Sequence, residues 1–237
     1  MPGVTVRRIS CNWECDEQQL SEEIHETLSF SGLKLKPLEK GVHLEMMLYA
    51  RMMCIYPEMA TKNIKKMNAR GILSENNLVG LNCKGKMSKL LETLKERKDN
   101  GNKKIIFTTF RMETDYVKEE LSKEGLHVGV IDGRVSKKMR NEILNKDLDV
   151  LLLQIKTGNE GLNLQQYNEV YFITPDWNPK MQEQAIARCH RMGQEKEVHV
   201  MKFVMDSFDN EGKTKSIEMH TEDIHEVKNE MAVKIYE

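Results

Sequence analysis

The chain has 237 residues, 39% of them hydrophobic and 31% charged, so it can bury one large or two small cores, and its composition is that of a globular protein and not of a disordered one. Lys plus Arg (36) nearly cancels Asp plus Glu (37), so any surface for a polyanion must be a local patch. The five cysteines, Cys11, Cys15, Cys54, Cys83 and Cys189, form no CxxC pair, and no apolar run approaches the ~18 residues of a membrane span, which sets aside zinc frameworks, disulfide scaffolds and membrane roles.

From the N-terminus, Val4 to Trp13 alternates as a strand does. Asp16 to Phe30 places Leu20, Ile24 and Leu28 four residues apart, which predicts a helix with an acidic outer face ending at Ser31-Gly32. Cys11, Cys15 and His25 are read as ordinary side chains of that strand and helix, and no metal site is expected. Leu44 to Met59, apolar nearly all round and stopped by Pro57, predicts a buried helix whose methionines fill the core. GLNCKGKM, Gly80 to Met87, fits the first seven positions of a phosphate loop. Met87 nevertheless stands where a magnesium-binding hydroxyl is required, and GILSENNL before it is too polar for the strand that should lead in. Lys86 is therefore read as opening the amphipathic helix MSKLLETLKE.

After Gly101 the pattern changes to short apolar runs separated by amphipathic segments of about ten residues. KIIFTTF, HVGVI, DVLLLQI, EVYFIT and EVHVMKFV read as strands; METDYVKEELSKEG, SKKMRNEILN and PKMQEQAIARCHRM read as helices. Such spacing forces crossover connections, hence an α/β fold with a mostly parallel sheet covered on both faces, preceded by a mainly helical N-terminal segment. The expected domains are an inter-lobe segment over 1–80, the α/β lobe over 81–205 and a charged helical tail over 206–237. Ligands of such sheets bind beyond the carboxyl ends of the strands, so the loops after Phe110, Ile131, Ile155 and Thr174 are where chemistry is expected.

Two constellations fall there. Gln184, Arg188 and Arg191 lie at i, i+4 and i+7, which would put an amide and two guanidiniums on one helical face, suited to the charge that spreads over a transferring phosphoryl group. GNEGLNLQ, Gly158 to Gln165, has glycines and asparagines for a tight turn opening a short helix, whose backbone amides could approach a phosphate. With no phosphate loop and no acidic box on a strand, the chain is not expected to hydrolyse ATP alone.

DWNPKMQEQAIARCHRMGQ, Asp176 to Gln194, closely resembles the last motif block of the Swi/Snf-related ATPases, the DNA-translocating branch of helicase superfamily two. KIIFTTFRMETDYVKEEL, VIDGRVSKKMR and TGNEGLNL resemble that family's preceding blocks in the same order. ARMMCIYPEM resembles its Leu-Arg-x-x-Cys-x-His-Pro helix. The resemblance implies the linker and the RecA-like, three-layer C-terminal lobe of a two-lobed motor acting on double-stranded DNA. The first lobe, in cis or in trans, would bind most of the ATP with Mg2+. Position by position, it implies Arg188 and Arg191 as arginine fingers, with Gln184, Gly158, Gly161 and Asn163 at the nucleotide. Thr108, Thr109, Asp132, Gly133, Arg134, Lys156 and Thr157 would border the DNA. An intracellular setting follows, either the nucleus or a viral replication site. The family pattern is broken by Ala187 in place of Asp, by Asn159 and Glu160 in place of Gly-Leu, and by Ile155 in place of a hydroxyl residue. A lobe kept only to bind DNA or a protein is the other reading.

Overall fold

The computed structural model describes residues 1–28, 40–71, 82–157, 161–209, 211–212 and 214–236. Its six-stranded sheet has the order β1-β6-β5-β2-β4-β3, with β1 Val4–Cys11, β2 Lys104–Thr108, β3 Val128–Ile131, β4 Val150–Gln154, β5 Glu169–Phe172 and β6 Val198–Met205. The central strands pair in parallel, Lys104 lying beside both Val150 and Glu169. β3 on β4 and β6 on β5 follow suit. At the edge, Val198 N donates to Gly3 O and Asp206 N to Cys11 O, both at 3.0 Å. The two bonds span the same offset, so β1 runs parallel as well.

Residue contacts divide the chain into two units, Met1–Ile9 with Leu90–Phe203, and Ser10–Lys89 with Val204–Glu237. Most of the expected inter-lobe segment and the expected tail thus share one unit, while the first nine residues belong to the other.

In the first unit β2 is buried along its whole length. Alternation sends Ile105 and Phe107 into a cluster with Leu151, Leu153, Val170, Phe172, Ala185 and Cys189, and there the Phe107 and Phe172 rings stack 5.0 Å apart. The crossover helices are α5 (Arg111–Lys123), α6 (Lys137–Leu144) and α7 (Pro179–Cys189), as the pattern predicts.

In the second unit, α1 (Cys15–Leu28) buries Leu20, Ile24 and Leu28 as expected. His25 Nδ1 donates to Ser21 O (2.7 Å). Phe208 meets the His25 ring edge-on and stacks on Trp13. Burial holds the imidazole down to about 4, and among the described residues no His, Cys, Asp and Glu gather as metal ligands. α2 (Lys40–Ile55) corrects one expectation: Met46, Tyr49, Ala50, Met53 and Cys54 are buried, but Leu44 and Leu48 are exposed. With Arg51 and Ile55 buried as well, the helix is enclosed nearly all round from Tyr49 onward, and only its earlier part shows an exposed face. A helix not foreseen, α3 (Thr61–Ala69), follows the 3-10 turn Pro57–Ala60, and the charged helix over Ile217–Tyr236 is α8.

α4 (Gly85–Glu96) carries the last residues of the phosphate-loop look-alike; positions 80 and 81 lie outside the described residues. Lys86 is 1% exposed, and its ammonium is bound to the buried carboxylate of Glu218, so it has no charge to offer a phosphate. A Cβ on Gly85 would stand 2.9 Å from Glu17 Oε1 and 3.0 Å from Asn12 O: this glycine allows a close approach to a carboxylate, not to a nucleotide.

Glu17 gives a pH prediction. Burial pushes its carboxyl up to about 7, against the hydrogen bond from Glu14 N. Between the ordinary value of 4.5 and 7 the folded chain keeps a proton that the unfolded chain releases. The stabilisation is therefore complete below 4.5 and lost as pH rises through 7. Glu17→Gln, which cannot ionise, should be more stable than wild type by about 3 kcal/mol at pH 8, with the gap closing below pH 5. Thermal unfolding at the two pH values checks it, and a gap independent of pH would contradict it.

Candidate functional site

α7 is set at its start by short polar side chains. Asp176 Oδ1 accepts from Asn178 N (2.9 Å), Asn178 Oδ1 accepts from Lys180 N (3.1 Å), and Pro179 takes the first helical position, where a missing N–H costs nothing. The DWNP string is thus a turn and a helix cap. At the other end His190 leaves helical geometry with ψ 82°, and Gly193 takes a left-handed φ of 98°. A Cβ on Gly193 would lie 3.0 Å from Gln165 Oε1, so backbone conformation and space both call for glycine. The buried amide of Gln194 donates to Gln165 O (2.8 Å) and Cys189 O (3.2 Å) and accepts from Lys196 N (3.0 Å). Leu164 N donates to Arg188 O (3.3 Å). The two constellations singled out in the sequence are thereby tied to each other.

The described part of the second constellation, from Gly161 on, is a turn and not the expected helix, because Leu164 and Tyr167 drop into the core and Tyr167 N donates back to Leu164 O (3.0 Å). Gly161 takes a φ of 75°, and Gly161 and Asn163 are exposed. Gly158, Asn159 and Glu160 lie outside the described residues.

Gln184 and Arg188 line a small cleft with Phe107, Ile155, Leu164, Met181 and Ala185, at the carboxyl end of the sheet. Arg191 does not share their helical face: α7 ends at Cys189, so the i+7 extrapolation fails after the turn at His190. It stands exposed beyond the helix. Among the described residues neither guanidinium has an ion pair or a hydrogen-bond acceptor. Arg188, on the rim of the cleft, is a permanently charged planar fork of the kind that pairs with anionic oxygens, and Arg191 stands exposed beyond the end of α7.

The other expected residues gather at the ends of β2, β3 and β4. Thr108 is buried and its hydroxyl bonds that of Thr114 (2.7 Å). Glu113 on α5 accepts from Thr109 N (2.8 Å) and Phe110 N (2.9 Å), fixing the β2–α5 turn. Arg134 is not a free cation. Its fork is shared between Asp132 (Nε, 2.8 Å) and Asp115 (Nη1, 3.0 Å; Nη2, 2.6 Å). Burial pushes the Asp132 carboxyl up, but the hydrogen bonds from Arg134 and the charge of Arg111 prevail and hold it below the ordinary carboxylate range. Asp132 is therefore a brace for the loop, with Gly133 beside it. Lys156 is exposed, and Thr157 N donates to Gln154 O (2.8 Å).

Sequence reasoning missed Gln154, Asp115 and Gln165. A glutamine closing an apolar run gives no signal beyond the end of a strand, and Asp115 meets Arg134 only because the β3 crossover brings them together.

No helix among the described residues is long and apolar enough to cross a membrane. The family model described as the helicase conserved C-terminal domain matches residues 85–193. Helicase SWR1 of Kluyveromyces lactis is 34% identical over 137 residues, covering 56% of this chain and 9% of that protein. DNA repair protein RAD5A of Arabidopsis thaliana is 33% identical over 125 residues, covering 51% of this chain and 12% of that protein. The chain thus spans about a tenth of the length of these relatives. The crystal structure of the C-terminal part of the Fun30 ATPase domain is similar with a TM-score of 0.65 at 19% identity over 86% of each chain. The Sulfolobus solfataricus SWI2/SNF2 ATPase core in complex with dsDNA gives 0.63 at 24% identity, over 87% of this chain and 42% of that one. These two show likeness of fold. Residues 85–193 thus match a helicase conserved C-terminal domain, and the relatives, together with the motif blocks in order along a parallel sheet, support a Swi/Snf-related C-terminal lobe of RecA-like fold.

Proposed function

We propose that this lobe is the second half of an ATP-driven double-stranded DNA translocase, supplying positive charge to a nucleotide whose phosphates and Mg2+ are held chiefly by a first lobe. The observation that carries the reading is the pair Arg188 and Arg191, both without carboxylate partners among the described residues. When ATP is bound, its triphosphate offers the anionic oxygens that such forks complement. Arg188, with Gln184 on the same cleft, would meet them first. Arg191, exposed beyond the end of α7, would add a second positive charge.

The DNA side rests on Thr109, Gly133, Arg134, Lys156 and Thr157 at neighbouring strand ends. The exposed ammonium of Lys156 there would grip a phosphate without reading sequence, while Arg134, held by Asp132 and Asp115, would keep the loop in place. The reported relatives include a helicase and a DNA repair protein from a yeast and a plant. That supports a nuclear setting, while nothing supports a viral one.

The test joins the chain, in cis or in trans, to a first lobe bearing a phosphate loop and measures ATP hydrolysis with and without double-stranded DNA. Stimulation by DNA supports the motor. DNA binding without any ATP turnover would instead leave a binding module. Lys156 yields a narrower expectation on the chain itself. If it neutralises one phosphate, Lys156→Ala should flatten the dependence of log K on log salt by about one unit, whatever the DNA sequence. An unchanged slope in fluorescence anisotropy titrations removes Lys156 from the interface.

A further inference from the structure

Polar contacts run without a break along the carboxyl edge of the sheet, from the β3 loop to α7. Gly133 N donates to Gln154 Oε1 (3.4 Å), and Gln154 Nε2 donates to Thr109 O (3.0 Å). The Thr109 and Thr174 hydroxyls meet at 3.4 Å, and Gln182 Nε2 donates to Thr174 O (3.4 Å). Gln182 is 3% exposed and sits on the helix that carries Gln184 and Arg188. One end of this path lies beside the residues assigned to DNA, the other on the helix assigned to ATP.

We propose that Gln154 is a positioning residue that couples the two, through a relay of Gly133, Gln154, Thr109, Thr174 and Gln182. The inference rests on the motor reading above and deepens it. Only one of the four links has an ordinary length; the other three are stretched. A stretched bond tightens or parts with a shift of a few tenths of an ångström, so a small displacement of Gly133 by a bound phosphate reaches α7 as a change in hydrogen bonding and not as a rigid push. Glutamine suits the junction because its amide accepts from one loop while donating to the other. Leucine or methionine of similar bulk can do neither.

The experiment compares wild type, Gln154→Leu, Thr174→Val, Thr174→Ser and the Leu–Val double variant, each joined to the first lobe. The readout is the ratio of DNA-stimulated to unstimulated ATP hydrolysis. Gln154→Leu and Thr174→Val should each lower the ratio about tenfold. The double variant should fall no further than the worse single, as links of one chain are not additive. Thr174→Ser, which keeps the hydroxyl, should stay near wild type, a rescue that loss of packing would not give. If Gln154→Leu does not fold, the contrast between Val and Ser at 174 decides alone. A wild-type ratio in either single variant, or losses that multiply in the double, overturns the relay while leaving the motor reading intact. A wild-type protein that DNA does not stimulate overturns both.

Discussion

Replacing Arg188 and Arg191 together with alanine is expected to reduce DNA-stimulated ATP hydrolysis about 10³-fold or more once the lobe is joined to its first lobe, the scale on which arginine fingers act. The physical ground is that both guanidiniums are without carboxylate partners among the described residues, so nothing has to be broken before they meet phosphate. Arg188 borders the cleft and its backbone is anchored by Leu164. Its single replacement should therefore take most of the rate, mainly in kcat. Arg188→Lys keeps the charge but loses the planar fork and should recover only part of it. Turnover within about threefold of wild type in the double variant would sink the assignment. Among the described residues neither side chain makes an ion pair or a side-chain hydrogen bond, so the comparison reads the rate and not the fold.

The opposite end of the sheet gives the largest expected effect on stability. Glu169, on β5, has no exposed surface. It accepts from Arg97 (Nε, 3.0 Å), Asn100 (2.6 Å), Asn102 (3.1 Å) and the Tyr171 hydroxyl (2.7 Å), with Lys104 Nζ at 3.6 Å. Burial pushes its carboxyl up, but Arg97, Tyr171, Asn102 and Lys104 together prevail and keep it below the ordinary range. Glu169→Ala strands two cations and three neutral donors around an empty space, and breaking a buried pair in this way costs about 3–5 kcal/mol. Urea denaturation should show that loss as an earlier midpoint at neutral pH. A carboxyl with a depressed value stabilises above its unfolded titration and ceases to do so as pH falls through the folded one, so the difference between wild type and variant should shrink in acid. A loss below about 1 kcal/mol at neutral pH would mean that water replaces the carboxylate.

Much of this architecture was legible because burial leaves a periodic mark. β2, β4 and β5 read as strands from unbroken apolar runs, and α1 from Leu20, Ile24 and Leu28. α3 did not, since TKNIKKMNA offers only Ile64 and Met67 to the core, too few to set a period. In the site, Gln184 and Arg188 followed from helical spacing. Arg191 did not, because that rule holds only while the helix lasts, and α7 ends at Cys189 before the left-handed turn at Gly193. Arg134 illustrates the same limit. A lone arginine after a strand reads as a cation for phosphate, yet Asp132 and Asp115 already surround it. The buried bond between Lys86 and Glu218 joins residues 132 apart, and no motif could have announced it. What local patterns miss here is consistently a polar side chain satisfied at long range.

β1 supplies one edge of the sheet and pairs with β6, almost two hundred residues later. During synthesis at 5–20 residues per second, the first strand therefore waits roughly 10 to 40 seconds for its partner to emerge. Over that interval its ladder groups are open to any nascent neighbour, and the sheet can close only once β6 has been made, as a slow, non-local step. Arg7 and Arg8 within the strand give it charge that opposes stacking on another edge. The lobe thus carries its folding hazard in β1, at the edge of its sheet.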